Sequence, residues 1–423
     1  MDFARKRWLS LGAAMLSALL VGVIYSFSVY VNPLVERYGW SKGAVSLAYT
    51  LNIVITAIVP LLVGKYRARM PISRYTFIGS VIYAVGILLC GFIRGSVYEF
   101  YLYFGVITGA GIGIVYTSLA TYVVQMFPDR KGLAAGLYTA CYGCAPFFWA
   151  PLASYLISTF GIENAFKYIG VFFIVGLILV TRFLREIPMG FTEAMSAHSG
   201  NTTPQAPSLY EKSPRQLLST PLFYVIMLLY TFGMSCGAMA LSLGSPILQS
   251  TLHYSPEAAA IVVGFFAIAS ATGRLFWGGM SDKIGRPNVL ICLCLITLIS
   301  MSVLSMFTTE VLFVSAILLI PFCYGAYACT ISPVAVECFG TRHFAQNYNV
   351  VFQVFAFSAI IGPQVIAYSE AATGGFRLAF MVACAFAVLG LFLAVLVKLM
   401  VNRARAAQKN ENRQANAEEA LSA

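Results

Sequence analysis

Charge is what this sequence has least of. Only 10% of its 423 residues are Asp, Glu, Lys or Arg, against about 25% in an ordinary soluble domain. Histidine is scarcer still, with three in the whole chain. No His/Glu metal set and no Ser/His/Asp grouping stands out, so the composition speaks against an enzyme, and no cofactor or metal is expected. Acids are missing where the chain is most apolar. None of the 16 Asp and Glu residues falls near the centre of an apolar run, Glu99 and Glu337 lying at run ends. Carriers driven by protons or sodium ions usually keep an acid inside the membrane, so this absence argues against such coupling.

Apolar residues make up 59% of the chain. A membrane-crossing helix needs about 20 of them in succession. Breaks at Pro, Gly, Asn and charge leave twelve runs: 8–31, 43–63, 74–93, 99–126, 132–158, 163–184, 220–250, 256–279, 288–308, 310–337, 344–369 and 374–400. An all-α membrane protein follows, with a six-helix N-terminal half (1–184), a central polar linker (185–219), a six-helix C-terminal half (220–400) and a charged, Ala-rich tail (401–423) read as exposed and partly disordered. The linker reads as flexible, with room for a short interfacial helix. The first run is too long for the core of a cleavable leader. The ten cysteines lie in or beside apolar runs and read as small buried hydrophobes. Cys141 and Cys144 have redox-motif spacing, yet fall within a helical run.

The net charge of +11 would suit nucleic acid if the basic residues clustered in one domain. They sit instead in short loops. All but Arg37, Lys42, Arg94, Lys167, Arg377 and Arg274 fall on one side of the twelve-run topology. That asymmetry places both termini and the linker in the cytoplasm, in a multi-pass protein of the cell membrane, with lipid rather than nucleic acid around it. The halves also echo one another at offsets of 213–214 residues: Asn32-Pro33 with Ser245-Pro246, Gly39-Trp40-Ser41 with His253-Tyr254-Ser255, and the loop from Gly64 with the loop from Gly278. Two six-span repeats joined by a linker suit a rocking transporter with its site between the repeats.

The loop after the eighth run reads Gly278-Gly-Met-Ser-Asp282-Lys283-Ile-Gly285-Arg286. It resembles the signature loop of the major facilitator superfamily, G-x-x-x-D-[RK]-x-G-[RK]. Phe127-Pro128-Asp129-Arg130-Lys131-Gly132 looks like a second segment of the same superfamily. Gly278 permits close helix approach, Gly285 a tight turn, and Asp282 can accept bonds from helix ends or basic groups. In the first-half copy Ala68 replaces the aspartate. Finer features resemble the oxalate–formate antiporter family, kin of the monocarboxylate transporters: Tyr25 to Pro33, Gly109 to Tyr116, Gly273-Arg274-Leu-Phe-Trp-Gly278, and Asn347-Tyr348. The resemblance implies a twelve-helix carrier of small carboxylates. It assigns Arg274 to the substrate carboxylate and puts Phe355 where some dicarboxylate carriers keep a lysine. Ser270 stands where monocarboxylate transporters often place an aspartate.

Arg274 can also be weighed without the family. A cation within a span costs about 2.5–3.5 kcal/mol on insertion scales, so such residues usually face a protein interior. At about 100° per residue, Ala267, Ser270, Ala271 and Gly278 share its face, while Phe265 and Phe276 point away. Substrate binding, a structural gate pair and snorkelling all remain open readings. Tyr25, Tyr116, Tyr142, Tyr324 and Tyr327 are candidate liners, each offering an apolar wall and one hydroxyl, with Asn52 and Phe355 beside them. Gly278, Asp282, Lys283, Gly285, Arg286, Asp129 and Arg130 are candidate gating residues. The expected activity is alternating-access transport of monocarboxylates such as lactate, pyruvate or formate by exchange, in a monomer whose partners are the substrate and a counter-anion or proton. Proton symport, oxalate/formate-type dicarboxylate exchange and a non-transporting ligand sensor are the alternatives.

Overall fold

The computed structural model describes residues 2–188, residue 191 and residues 209–422. Among these the secondary structure is helical, with no strand. Eleven helices are long and apolar enough to cross a membrane. One of them, Lys131–Thr181, has 51 residues. At 1.5 Å per residue that is about 76 Å, more than twice the ~30 Å hydrocarbon layer. It breaks at Gly161 (φ 79°, ψ 161°), a backbone conformation that glycine adopts without the clash a Cβ would suffer. Divided there into 131–160 and 162–181, the chain makes twelve crossings, the number its apolar runs predict.

The sequence echo between the halves has a local structural counterpart. Gly39 (φ 70°) and His253 (φ 55°), 214 positions apart, both end a helix in the left-handed region. Two residues on, Ser41 Oγ accepts the Ala44 N–H at 3.1 Å and Ser255 Oγ accepts the Ala258 N–H at 3.2 Å. Each serine satisfies one of the donors a helix start leaves free. The first and seventh spans are also both interrupted. The first passes from α-helix (Asp2–Val21) through a 3-10 turn (Gly22–Ser26) to a second helix (Ser28–Tyr38), and the seventh (Pro221–Leu252) departs from helical geometry at Leu243 (φ −129°, ψ 21°).

Three expectations need correction. The first run, read as one span, is this broken pair of helices. The eleventh, read as continuous over 344–369, comprises Phe344–Val351 and Val354–Thr373. The tail, read as partly disordered, continues the last span as one helix, Arg377–Ser422. Ala, Arg, Gln and Glu are strong helix formers, and they extend the helix past the apolar run that starts it. The polar stretch of the linker over 192–208 lies outside the described residues. Its end is ordered: Ser213 and Gln216 form a capping box on the short helix Pro214–Leu218.

The halves meet most tightly at the end that carries the basic loops. The fifth span packs along the eighth and tenth, and the second against the eleventh. Ser332 donates to the Ala120 carbonyl, joining the tenth span to the fourth at 3.3 Å. Asn349 Nδ2 donates to the Pro60 carbonyl at 2.8 Å and Gln353 Nε2 to the Ala57 carbonyl at 2.6 Å. The closed end faces the basic loops.

Candidate functional site

Two constellations lie along the boundary between the halves. The first surrounds the signature loop. The eighth helix (Pro256–Ile284) ends at Gly285, whose φ is 83°. One turn earlier, the Asp282 carboxylate accepts the backbone N–H of Gly132 and of Leu133, both at 3.0 Å. These are free donors at the start of the fifth span, where the helix dipole favours negative charge. Arg286 donates to Asp282 Oδ1 at 2.8 Å, and its Nε lies 3.2 Å from Glu337 Oε2. Glu337 also pairs with Arg405 from the last helix. Beneath the carboxylate Gly278 and Gly132 cross backbone to backbone, and a Cβ on either would strike the other's carbonyl oxygen.

The remaining loop candidates sit differently. Lys283 is exposed. Asp129 does not cross to the other half: it receives two bonds from Arg7, at 2.8 and 3.1 Å, with Arg130 Nε 4.0 Å away. It ties the first span to the loop before the fifth, within one half. The first-half signature, where Ala68 replaces the aspartate, has no carboxylate to offer the other half. Asn349 and Gln353, gripping second-span carbonyls, close that side instead.

If Asp282 holds the basic end shut, Asp282→Asn will loosen it. Hydrogen bonds to a charged group are worth about 1.5–3 kcal/mol, so the closed population should fall roughly ten- to hundredfold. The readout is maleimide labelling of a cysteine replacing Ser281, which is fully buried at this crossing, followed by mass spectrometry. Labelling as slow as in the Asp282 parent would remove Asp282 from the gate.

The second constellation centres on Arg274, which is 2% exposed. Its Nη1 donates to Ser270 Oγ one turn earlier at 3.0 Å. Its Nε is buried without a hydrogen-bond partner, and no carboxylate pairs with it among the described residues. The guanidinium lies across the boundary, against the fifth span at Gly143, and its charge reaches Tyr25, Tyr116 and Tyr324. The phenol rings interlock: Tyr25 with Tyr142 at 5.1 Å and Tyr116 with Tyr142 at 4.6 Å between centroids. The Tyr25 hydroxyl meets that of Tyr324 from the other half. Phe352 packs at a tilt against Tyr116, with centroids 5.5 Å apart, and against Phe355 at 4.7 Å, which completes the wall with apolar surface. A cation, several phenols and no acid form a setting for one carboxylate.

Five of the predicted liners thus gather here: Tyr25, Tyr116, Tyr142 and Tyr324 around Arg274, and Phe355 one ring further out. Tyr327 does not join them. Its hydroxyl lies 3.3 Å from Cys294 Sγ, and its ring packs on Gly233 behind the tenth span. Asn52 does not either. Its Nδ2 donates to the Phe104 carbonyl at 2.6 Å, within the π-helical segment Tyr101–Thr108 of the fourth span. A π-helix leaves carbonyls out of the usual ladder, and Asn52 serves one of them. Sequence reading missed Phe352 as part of the aromatic wall and Gly143 as the neighbour of the arginine. Gly143 continues the series Gly132, Gly136 at helical spacing, a signal masked by the cysteines around it. All ten cysteines are free.

Comparisons with known proteins agree with this architecture. Residues 11–363 match the family model for the Major Facilitator Superfamily. The chain is 27% identical over 401 residues to an oxalate:formate antiporter of Oxalobacter formigenes, covering 92% of this chain and 91% of the relative. It is 23% identical over 389 residues to monocarboxylate transporter 13 of Rattus norvegicus, covering 90% and 86%. Among solved structures, that of the major facilitator transporter FucP in its outward conformation superposes with a TM-score of 0.69 at 13% identity, over 92% of this chain and 98% of the other. With most of its length matched and twelve helical crossings in place, this chain is a multi-pass membrane protein of the major facilitator superfamily, a family of transporters and not of enzymes.

Proposed function

We propose that this protein carries small monocarboxylate anions across the cell membrane by alternating access, exchanging one anion for another. The observation that carries the reading is Arg274: a buried guanidinium on the boundary between the halves, ringed by phenols and, among the described residues, without an acidic partner. Burying an unpaired charge costs several kcal/mol, and a carboxylate removes that cost through charge-assisted hydrogen bonds. One cation balances one negative charge, which favours monoanions such as lactate, pyruvate or formate. The similarity to an oxalate:formate antiporter and to a monocarboxylate transporter supports the same substrate class. The loop charges support an orientation with both termini and the linker in the cytoplasm, so that residues 1–184 and 220–400 rock about the linker and the closed end is cytoplasmic. In this scheme Asp282 and Arg286 latch the closed end, while Tyr25, Tyr116, Tyr142 and Tyr324 orient the anion.

Uptake of a panel of labelled carboxylates into proteoliposomes, with and without an internal counter-anion, tests the proposal. Saturable monocarboxylate uptake supports it, with a KM in the µM to mM range expected of a carrier that must release its cargo. Absence of uptake for every carboxylate rejects it. Phe355 sets a further expectation. With an apolar ring rather than a second cation one ring beyond Tyr116, formate or lactate should outcompete oxalate at neutral pH by about tenfold or more, since a second unpaired negative charge costs several kcal/mol. Preferential displacement by oxalate would mean that a second basic group contributes.

A further inference from the structure

Arg274 lies in a slot whose two walls are glycines. On one side, in the fifth span and the opposite half, a Cβ on Gly143 would fall on the guanidinium itself, at Nη1 and Cζ. On the other, in the tenth span, a Cβ on Gly325 would lie 3.1 Å from Arg274 Cγ and overlap the Ser270 carbonyl. The two glycines differ in what they admit. Gly325 admits the eighth-span backbone, as does Gly136, where a Cβ would lie 2.7 Å from the Arg274 carbonyl oxygen. Gly143 alone of the three meets the charged end of the side chain. The residue held there is 98% buried, since its exposure is 2%, and its Nε has no partner. The guanidinium therefore fills the place that a side chain at 143 would take, and a side chain there would reset its height in the boundary.

We propose that Gly143 is a positioning residue for the transported anion: its missing side chain fixes where the Arg274 guanidinium stands, and so where a carboxylate can be held by both halves at once. The inference rests on the proposed role of Arg274 as the anion's ligand. A methyl group at 143 displaces the guanidinium, and with it the Nη1 that bonds Ser270, without touching its charge or the helix crossing at Gly132. Bidentate recognition depends on the planar fork being in register with the carboxylate, so a shift of about 1 Å weakens the anion's hold while the helices remain able to rock. At Gly136 the added methyl meets backbone instead, which obstructs the approach of the fifth and eighth spans.

The test compares Gly143→Ala with Gly136→Ala in full-length protein in proteoliposomes, with formate and lactate as probes. Gly143→Ala is expected to raise KM tenfold or more with the maximal exchange rate kept within about threefold. Gly136→Ala should do the reverse, lowering the maximal rate with little change in KM. A second readout needs no substrate: phenylglyoxal modification of Arg274, followed by mass spectrometry of its peptide. It should be at least threefold faster in Gly143→Ala, because the guanidinium has left its buried slot, and unchanged in Gly136→Ala. The proposal is overturned if Gly143→Ala affects only the maximal rate, or if Arg274 reacts at the wild-type rate in that variant. If wild-type protein moves no carboxylate, the transport reading fails, while the phenylglyoxal comparison still decides whether Gly143 seats the arginine.

Discussion

Arg274→Gln is expected to abolish carboxylate binding while leaving folded protein in the membrane. The substitution keeps a planar polar group, two bonds shorter than the guanidinium, and it removes the charge. Truncating one partner of a buried, hydrogen-bonded charge pair costs about 2–5 kcal/mol, or roughly 30- to several-thousandfold in affinity at 1.4 kcal/mol per tenfold. Stability should move the other way. In the empty protein Arg274 has an unpartnered Nε and no acid beside it, so neutralising it relieves desolvation, and the thermal midpoint of the unliganded mutant should equal or exceed that of the wild type. Substrate-induced stabilisation should disappear in the same measurement. Wild-type affinity in a correctly folded Arg274→Gln protein would remove this residue from the site. A lowered midpoint without substrate would mark it as a structural strut.

The fold was legible in the sequence because a membrane imposes one rule on every span: about 20 apolar residues, with the charge left in the loops. Even the repeat could be seen, and its clearest structural sign, left-handed Gly39 and His253 followed by capping Ser41 and Ser255, lies where the sequence echo lies. What the sequence hid was the interior of the spans. Nothing in Val21 to Ser28 announces that the helix tightens to 3-10 beside Tyr25, because that turn is set by the approach of Gly22 to the Tyr142 carbonyl. Direction within a span was equally hidden for tyrosine. Tyr324 and Tyr327 are three residues apart on one helix, both flanked by small residues. Only the packing of the seventh and ninth spans decides that Tyr327 turns toward Cys294 while Tyr324 turns toward Tyr25. Asn52 looked like a polar liner because the sequence gives no sign of the π-helical segment it serves. Arg274 was legible for the opposite reason: a lone cation in an apolar span can be explained in few ways.

Exchange is expected to run at least tenfold faster than net transport. To return empty, the carrier passes through a state closed at both ends in which Arg274 has no counter-charge. Two acids of the same half, Asp282 and Glu337, stand toward its closed end, and both are committed elsewhere. Asp282 holds the Gly132 and Leu133 N–H groups and Arg286, and Glu337 holds Arg286 and Arg405. Freeing either would break a buried ion pair, at a cost of several kcal/mol. Enclosing the lone guanidinium carries a penalty of the same order. Each 1.4 kcal/mol that survives in the transition state slows the empty return about tenfold, whereas a bound monoanion neutralises the site and lets both crossings run loaded. The measurement is efflux of labelled substrate from preloaded proteoliposomes into buffer with or without external substrate, at fixed pH on both sides. Acceleration by external substrate is the expected result, together with indifference to an imposed proton gradient, since no acid inside the membrane is placed to carry the proton. Equal efflux in the two buffers would reject exchange, and net flux that follows the proton gradient would replace it with symport, the proton travelling on the carboxylate itself.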